Sequence, residues 1–239
     1  MKALRPLTGS LCSVCGEALL SPAFLERSEP LCGLCQRLHP PFEKAVAYGT
    51  YDGGLRDLIH LLKFQQVRPA AAVLGRMLAE VITSLESALP CGTIAVIPVP
   101  LHARKRAQRG FNQSELITRS ALKQIARPER FQELTNVLLR HRETGSQIGL
   151  TRHQRRENLR GAFAVTDTER ISGRDVLLVD DVFTTGTTAS ECARVMRRAG
   201  AKHVWVATVA RTLKVFGTFA VPEQELEEEN AGRLAAAAS

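Results

Sequence analysis

Two adjacent carboxylates, Asp180 and Asp181, stand at the end of the apolar run Val176-Leu177-Leu178-Val179. Thr184-Thr185-Gly186-Thr187-Thr188 follows at once. A carboxylate pair accepts hydrogen bonds from sugar hydroxyls or holds a magnesium ion through water. Small hydroxyl residues between a strand and a helix bring backbone N–H groups and hydroxyls around a phosphate, whose charge the helix dipole favours. Gly186 lets the backbone turn and come close to such a ligand. The other reading is an ordinary strand–turn–helix with a solvated acidic turn. Against it, two carboxylates directly after a buried strand are costly without a ligand or partners.

A second anion-binding arrangement lies upstream. Ile97-Pro98-Val99-Pro100-Leu101-His102 leaves an apolar stretch and enters a run holding Arg104, Arg106 and Arg109, followed by Gly110-Phe111-Asn112-Gln113. Arginine suits this place because its planar fork binds phosphate oxygens in pairs. His102 by itself also reads as a surface-loop histidine. A third polar stretch carries Arg140, Thr144, Gln147, Arg152 and Arg155 and ends at Gly161-Ala162-Phe163. It shows little periodicity and reads as a long mobile loop over residues 140–160, or as a charged loop that contacts a partner.

Cys12-x-x-Cys15 and Cys32-x-x-Cys35 have the spacing of a four-cysteine zinc ribbon or knuckle. All four ligands are used, so the expected site is structural. The surrounding prolines mark a loop-rich module that needs a metal to fold. A disulfide or redox pair is the alternative. Cys91 and Cys192 stand alone and read as small buried residues or surface thiols.

The elements that must position these groups follow from the patterning. Val176–Val179 and residues 93–99 read as buried strands of a parallel sheet, which would place their ligands at the carboxyl ends. Residues 45–51 and 203–209 read as further strands, and Asp52-Gly53-Gly54 as a turn. Helices are expected from Leu55 to Leu62, Ala70 to Leu85 and Glu115 to Ile125. Another opens at a capping box, Thr188-x-x-Glu191, and ends before Gly200. Strand–helix alternation gives an α/β fold, a mostly parallel sheet flanked by helices.

The chain has 239 residues and a formal net charge of +8. Residues 104–160 carry a net +9 and the remainder −1. So confined an excess fits a polyanionic ligand, either a small pyrophosphate compound or nucleic acid, or a solvated basic surface. No apolar run approaches a membrane span of about 20 residues. The N-terminus lacks an apolar signal core, and the expected location is cytoplasmic.

Residues 176–188 resemble the phosphoribosyl-pyrophosphate (PRPP) binding motif of the type I phosphoribosyltransferases over all thirteen positions. The cysteine pairs, the Arg109–Gln113 stretch and the Arg140–Phe163 stretch together resemble the ComF (competence protein F) family, from about Cys12 to Arg211. The resemblance implies a type I phosphoribosyltransferase fold with an N-terminal four-cysteine zinc-ribbon-like module. It divides the chain into a zinc module at 1–42 and a transferase-like domain at 43–215, in which residues around 140–160 would close over the substrate; the acidic run and small residues that follow read as a disordered tail at 216–239. It implies that Asp180 and Asp181 hold the ribose hydroxyls and that Thr184 to Thr188 hold the 5-phosphate. Leu101, His102, Arg104, Arg106 and Arg109 would meet the pyrophosphate, with magnesium. No catalytic base is named. Two functions fit. One is a magnesium-dependent phosphoribosyltransferase with an unidentified acceptor. The other is a DNA-uptake factor whose PRPP site is a sensor, with single-stranded DNA or a helicase-like protein as partner.

Overall fold

The computed structural model describes residues 10–19, 29–143 and 152–213. The first cysteine pair lies in a turn closed by a bridge between Leu11 and Ala18, and the second opens helix α1 (Gly33–Leu38). Then follow β1 (Lys44–Thr50), α2 (Gly53–Lys63), α3 (Ala70–Leu85), β2 (Ile94–Pro98), α4 (Ala103–Arg109) and α5 (Gln113–Leu122). The second half contains β3 (Phe131–Glu133), β4 (Leu138–Arg140), α6 (Arg152–Leu159), β5 (Phe163–Val165), β6 (Asp175–Phe183), α7 (Thr187–Arg198) and β7 (His203–Arg211). Among the described residues no helix is long and apolar enough to cross a membrane.

Five strands form a sheet in the order β1-β7-β6-β2-β3, and every pairing in it is parallel. The apolar runs explain this. A strand alternates its side chains between two faces, so a continuous run must be buried on both. Val176 and Leu178 join Ala95, Ile97, Val204 and Val206 against Cys192, Ala193 and Met196 of α7. Leu177 and Val179 join Ile94, Val96 and Ala207 against α3 and α5, through Leu74, Leu78, Ile82 and Ile117. The sheet register sets Pro98 opposite Val179, and Val99 N–H donates to the Val179 carbonyl at 2.8 Å. The chain leaving β2 therefore runs beside the acidic pair.

Several local expectations are corrected. Asp180 and Asp181 lie within β6, because pairing with β7 continues through Asp180–Thr208 to Phe183–Arg211. Asp52 precedes α2 as its N-cap, and Gly53 and Gly54 form that helix's first turn. Arg104, Arg106 and Arg109 sit on the short helix α4 and not on a loop. The capping box does not form. Gly186 caps α7, and Thr188 is already helical. The Glu191 carboxylate instead accepts from Arg194 at 2.6 and 2.8 Å and from Gly161 N–H at 2.7 Å.

The stretch 140–160 is not one loop. Arg140 ends β4, which pairs antiparallel with β5, and residues 152–159 form α6. α6 is polar nearly all round and reaches the core through Leu159, so periodicity could not reveal it. Thr144, Gln147 and the tail from 216 to 239 lie outside the described residues.

Candidate functional site

Helix α5 is aimed at the acidic pair by its cap. Asn112 accepts from Ser114 N–H at 3.0 Å through Oδ1 and donates through Nδ2 to the Val99 carbonyl at 3.0 Å. The cap thus ties the start of α5 to the exit of β2, with Gln113 and Ser114 at the carboxyl end of the sheet. Gln113 Nε2 donates to Asp181 Oδ1 at 3.0 Å, and Ser114 Oγ donates to Asp180 Oδ1 at 3.1 Å. Lys63, the last residue of α2, completes the set with Nζ 2.5 Å from Asp181 Oδ2. Arg109 Nη1 donates to Gln113 Oε1 at 2.6 Å, so one glutamine links a guanidinium to a carboxylate.

These partners separate two neighbouring acids. Asp181 is only 4% exposed. Burial alone would raise its pKa, but the Lys63 charge and hydrogen bonds from Lys63 and Gln113 outweigh that and hold it below the ordinary carboxylate range. Burial and the adjacent Asp181 charge push Asp180 up to about 8, against the opposing pull of Lys63. At neutral pH the pair therefore carries about one negative charge. Asp180 can donate or accept a hydrogen bond, which suits a ligand rich in hydroxyls.

The next turn has the features of an anion site. Gly186 adopts φ +73°, and a Cβ there would lie 2.6 Å from Phe183 Cζ, so only glycine fits this conformation against that ring. Thr185 and Thr187 hydroxyls meet at 2.7 Å. No side chain caps α7, which leaves its first-turn N–H groups to face an incoming anion.

The expected pyrophosphate residues divide into three groups. Leu101, His102 and Arg106 line a cleft of about 280 Å³ with Pro100, Asn136 and Arg140. Within it, the His102 backbone forms a bridge with Arg140, and its Nδ1 is buried without a hydrogen-bond partner among the described residues. Arg106 is already held by Glu115 at 2.9 and 3.3 Å. Arg109 turns instead to Gln113 and lies 5.5 Å from the Phe64 ring centroid. Arg104 is exposed and pairs with Glu143 at 3.3 Å. Of the residues assigned to the mobile loop, Arg140 stacks 5.6 Å from the centre of Phe163. Burial lowers its pKa, opposed by Cys192 and Asp180. Arg152 and Arg155 are placed only as positions on α6.

Sequence gives no site role to Lys63 or Ser114, and Gln113 figures in it only as part of the Arg109–Gln113 stretch. Gln113 and Ser114 carried a signal, being polar residues directly after an arginine-rich strand exit. Lys63 carried none, since its partner is more than a hundred positions away.

The sulfurs of Cys12, Cys15, Cys32 and Cys35 lie within 4.8 Å of one another, and all four residues are buried. Cys15 and Cys32 sulfurs are 3.7 Å apart. That matches the edge of a tetrahedron whose metal–sulfur bonds are about 2.3 Å and is far beyond a disulfide bond of about 2.05 Å. Cys35 N–H donates to Cys32 Sγ at 3.4 Å, as in a knuckle turn. Cys12 is driven far below the ordinary thiol range by its neighbours' hydrogen bonds, while Cys15 is driven up to about 12 chiefly by Cys12. Packed thiols of this kind cannot all ionise without a cation among them. The donor set fits zinc.

The family model for the phosphoribosyl transferase domain matches residues 78–229. The DNA utilization protein YhgH of Escherichia coli O157:H7 is 34% identical over 212 residues, covering 85% of this chain and 91% of that protein. Competence protein F of Haemophilus influenzae is 34% identical over 185 residues, covering 75% and 78%. A solved structure described as the allosteric regulatory enzyme of purine biosynthesis is 24% identical, with a TM-score of 0.37. It covers 59% of this chain, which spans about a quarter of that one's length.

Proposed function

The chain belongs to the phosphoribosyl transferase domain family and, within it, to the ComF group, and from that membership we propose that it binds PRPP with magnesium and serves DNA utilisation in the cytoplasm. The observation that carries this reading is the buried acidic pair, Asp181 held by Lys63 and Gln113 and Asp180 by Ser114, set directly before a helix start that no side chain caps.

In this reading Asp180 and Asp181 take the ribose hydroxyls, and Thr184 to Thr188 take the 5-phosphate. The cleft residues His102, Arg106 and Arg140 stand nearest the pyrophosphate, with Arg104 and Arg109 at its rim. Arg140, Thr144, Gln147, Arg152 and Arg155 belong to the segment that covers the ligand. Magnesium carried with PRPP would supply charge neutralisation, and Asp180, deprotonated by a neighbouring cation, would offer it a hard oxygen donor.

Transfer would break the bond from the anomeric carbon to the pyrophosphate oxygen and form one to an acceptor nitrogen, which loses a proton to solvent. The electron pair leaves with pyrophosphate, whose growing charge the arginines stabilise. An ionised Asp181 favours the cationic sugar. An amine or ring nitrogen needs no strong general base, and none is assigned. The direct test is a magnesium-dependent rise in Tm with PRPP concentration, absent in Asp180→Asn/Asp181→Asn. A rise of equal size in the double variant would place the ligand elsewhere.

A second reading is favoured by the net +9 of residues 104–160. It makes the site a PRPP sensor in a catalytically inactive factor that binds single-stranded DNA or a DNA-uptake partner. Turnover of PRPP with any amine or nucleobase counts against it. DNA affinity with little salt dependence removes its electrostatic basis.

A further inference from the structure

Arg211, the last residue of β7, is 2% exposed and has no place in the ligand site described above. A guanidinium is removed from water only where it finds partners. Its partners come from the first cysteine turn, 196 and 194 positions earlier. Nη1 donates to the carbonyl of Cys15, a residue of the four-cysteine cluster. Nη2 donates to Glu17 Oε2 at 2.6 Å. Gly16, between them, adopts φ +69°, and a Cβ there would stand 3.3 Å from Arg211 Nη1. The cysteine turn is therefore moulded around this guanidinium.

The other side of Arg211 faces the phosphate turn. Its Cζ lies 5.3 Å from the centroid of the Phe183 ring, and the two residues are paired across β6 and β7. Phe42 meets the same ring edge-on at 6.2 Å. The tip of the Phe183 ring lies against Gly186, where a Cβ would stand 2.6 Å from Cζ. A continuous chain of contacts thus runs from the cysteine turn through Arg211 and Phe183 to the turn at Thr184–Thr188.

We propose that Arg211 is a positioning residue that couples metal occupancy of the four-cysteine site to the shape of the phosphate-binding turn. With metal bound, the Cys12–Glu17 turn holds the carbonyl and carboxylate that fix Arg211. The guanidinium then fixes the Phe183 ring, and the ring supports Gly186. Without metal, the turn loses its shape and Arg211 loses its partners. The Phe183 ring then loses the guanidinium that lies 5.3 Å from its centre. This inference rests on the reading of Thr184–Thr188 as the PRPP phosphate site.

The test uses the full-length, zinc-loaded protein, with PRPP and magnesium as the probe. PRPP affinity is measured for wild type, Arg211→Met and Arg211→Lys. Zinc affinity is measured by competition with a chelator that ignores magnesium, with and without PRPP. Coupling between the affinities of two sites is reciprocal. Arg211→Met is expected to weaken PRPP about tenfold, and PRPP to tighten zinc binding by wild type by the factor by which zinc tightens PRPP. Arg211→Lys, which keeps the charge but not the planar fork, is expected to recover only part of the affinity. Equal PRPP affinity in wild type and Arg211→Met overturns the proposal, as does a wild-type zinc affinity that PRPP does not change. If Arg211→Met does not fold, the wild-type zinc-affinity comparison decides alone. If folded wild type binds no PRPP, the assigned ligand is wrong, and the coupling is read by hydrogen exchange at the amides of 184–189. Faster exchange after zinc removal supports it, and unchanged exchange overturns it.

Discussion

At the scale of single residues, the two aspartates have opposite energetic roles. The unfolded-state reference for Asp180 is 3.8, and the fold raises it to about 8. Between those values the folded chain keeps a proton that the unfolded chain has lost, so this residue makes stability fall as pH rises from about 4 to 8. Asp180→Asn should therefore raise the Tm of the ligand-free protein near pH 8 and change it little near pH 4, while weakening PRPP. A pH series of melting curves checks both ends. Asp181 has the reverse sign. Its pKa is lowered, so its contribution is present above the ordinary carboxylate range and is lost as pH falls through the folded value. Asp181→Asn leaves Lys63 without its carboxylate, and breaking such a buried pair costs about 3 kcal/mol. Denaturant unfolding at pH 7 should show that loss. Gly186→Ala should destabilise by about 2 kcal/mol through its positive φ and its clash with Phe183. It should also reduce affinity for phosphate-bearing ligands in an equilibrium titration.

At the scale of elements, the site depends on how α5 begins. Asn112 caps that helix and tethers it to β2, so Asn112→Ala should cost about 1 kcal/mol. It should weaken PRPP as well, because Gln113 and Ser114 lose their aim at the aspartates; calorimetry and unfolding measured together separate the two effects. The cap was written into the run Arg109-Gly110-Phe111-Asn112-Gln113, yet the helix start was expected at Glu115. Gln113 and Ser114 are polar residues buried by tertiary contacts, and periodicity does not register such burial. The long elements were legible for the complementary reason. α3 runs from Ala70 to Leu85 as its apolar spacing required, and β2 and β6 follow their continuous apolar runs. β3 and β4 are three residues each, too short to show a period. The arginines of α4 read as a loop because that helix buries no residue.

At the scale of the whole molecule, the first cysteine turn and the end of β7 meet beside the turn that precedes α7. Cys15 and Arg211 are 196 positions apart, and no local pattern reports such a contact. The cysteine spacing made the metal site legible, whereas its attachment to the sheet was not. Removing the metal should therefore cost more than the module itself. Chelation is expected to lower the protein's Tm and to broaden amide signals at Thr184–Thr188 as well as those at Cys12–Glu17, as heteronuclear NMR would show. The confined positive charge also has a molecular consequence. A polyanion drawn to residues 104–160 should be released by salt, whereas PRPP held by the aspartates and the phosphate turn should be affected less.

Binding of PRPP through the acidic pair and the turn at Thr184–Thr188 is read by calorimetric titration of PRPP with magnesium into the zinc-loaded protein at fixed salt, beside Asp180→Asn/Asp181→Asn. Saturable single-site binding to wild type that is lost in a folded double variant is expected. No heat of binding from folded, metal-loaded wild type, or unchanged binding in the variant, would place the ligand elsewhere or remove it.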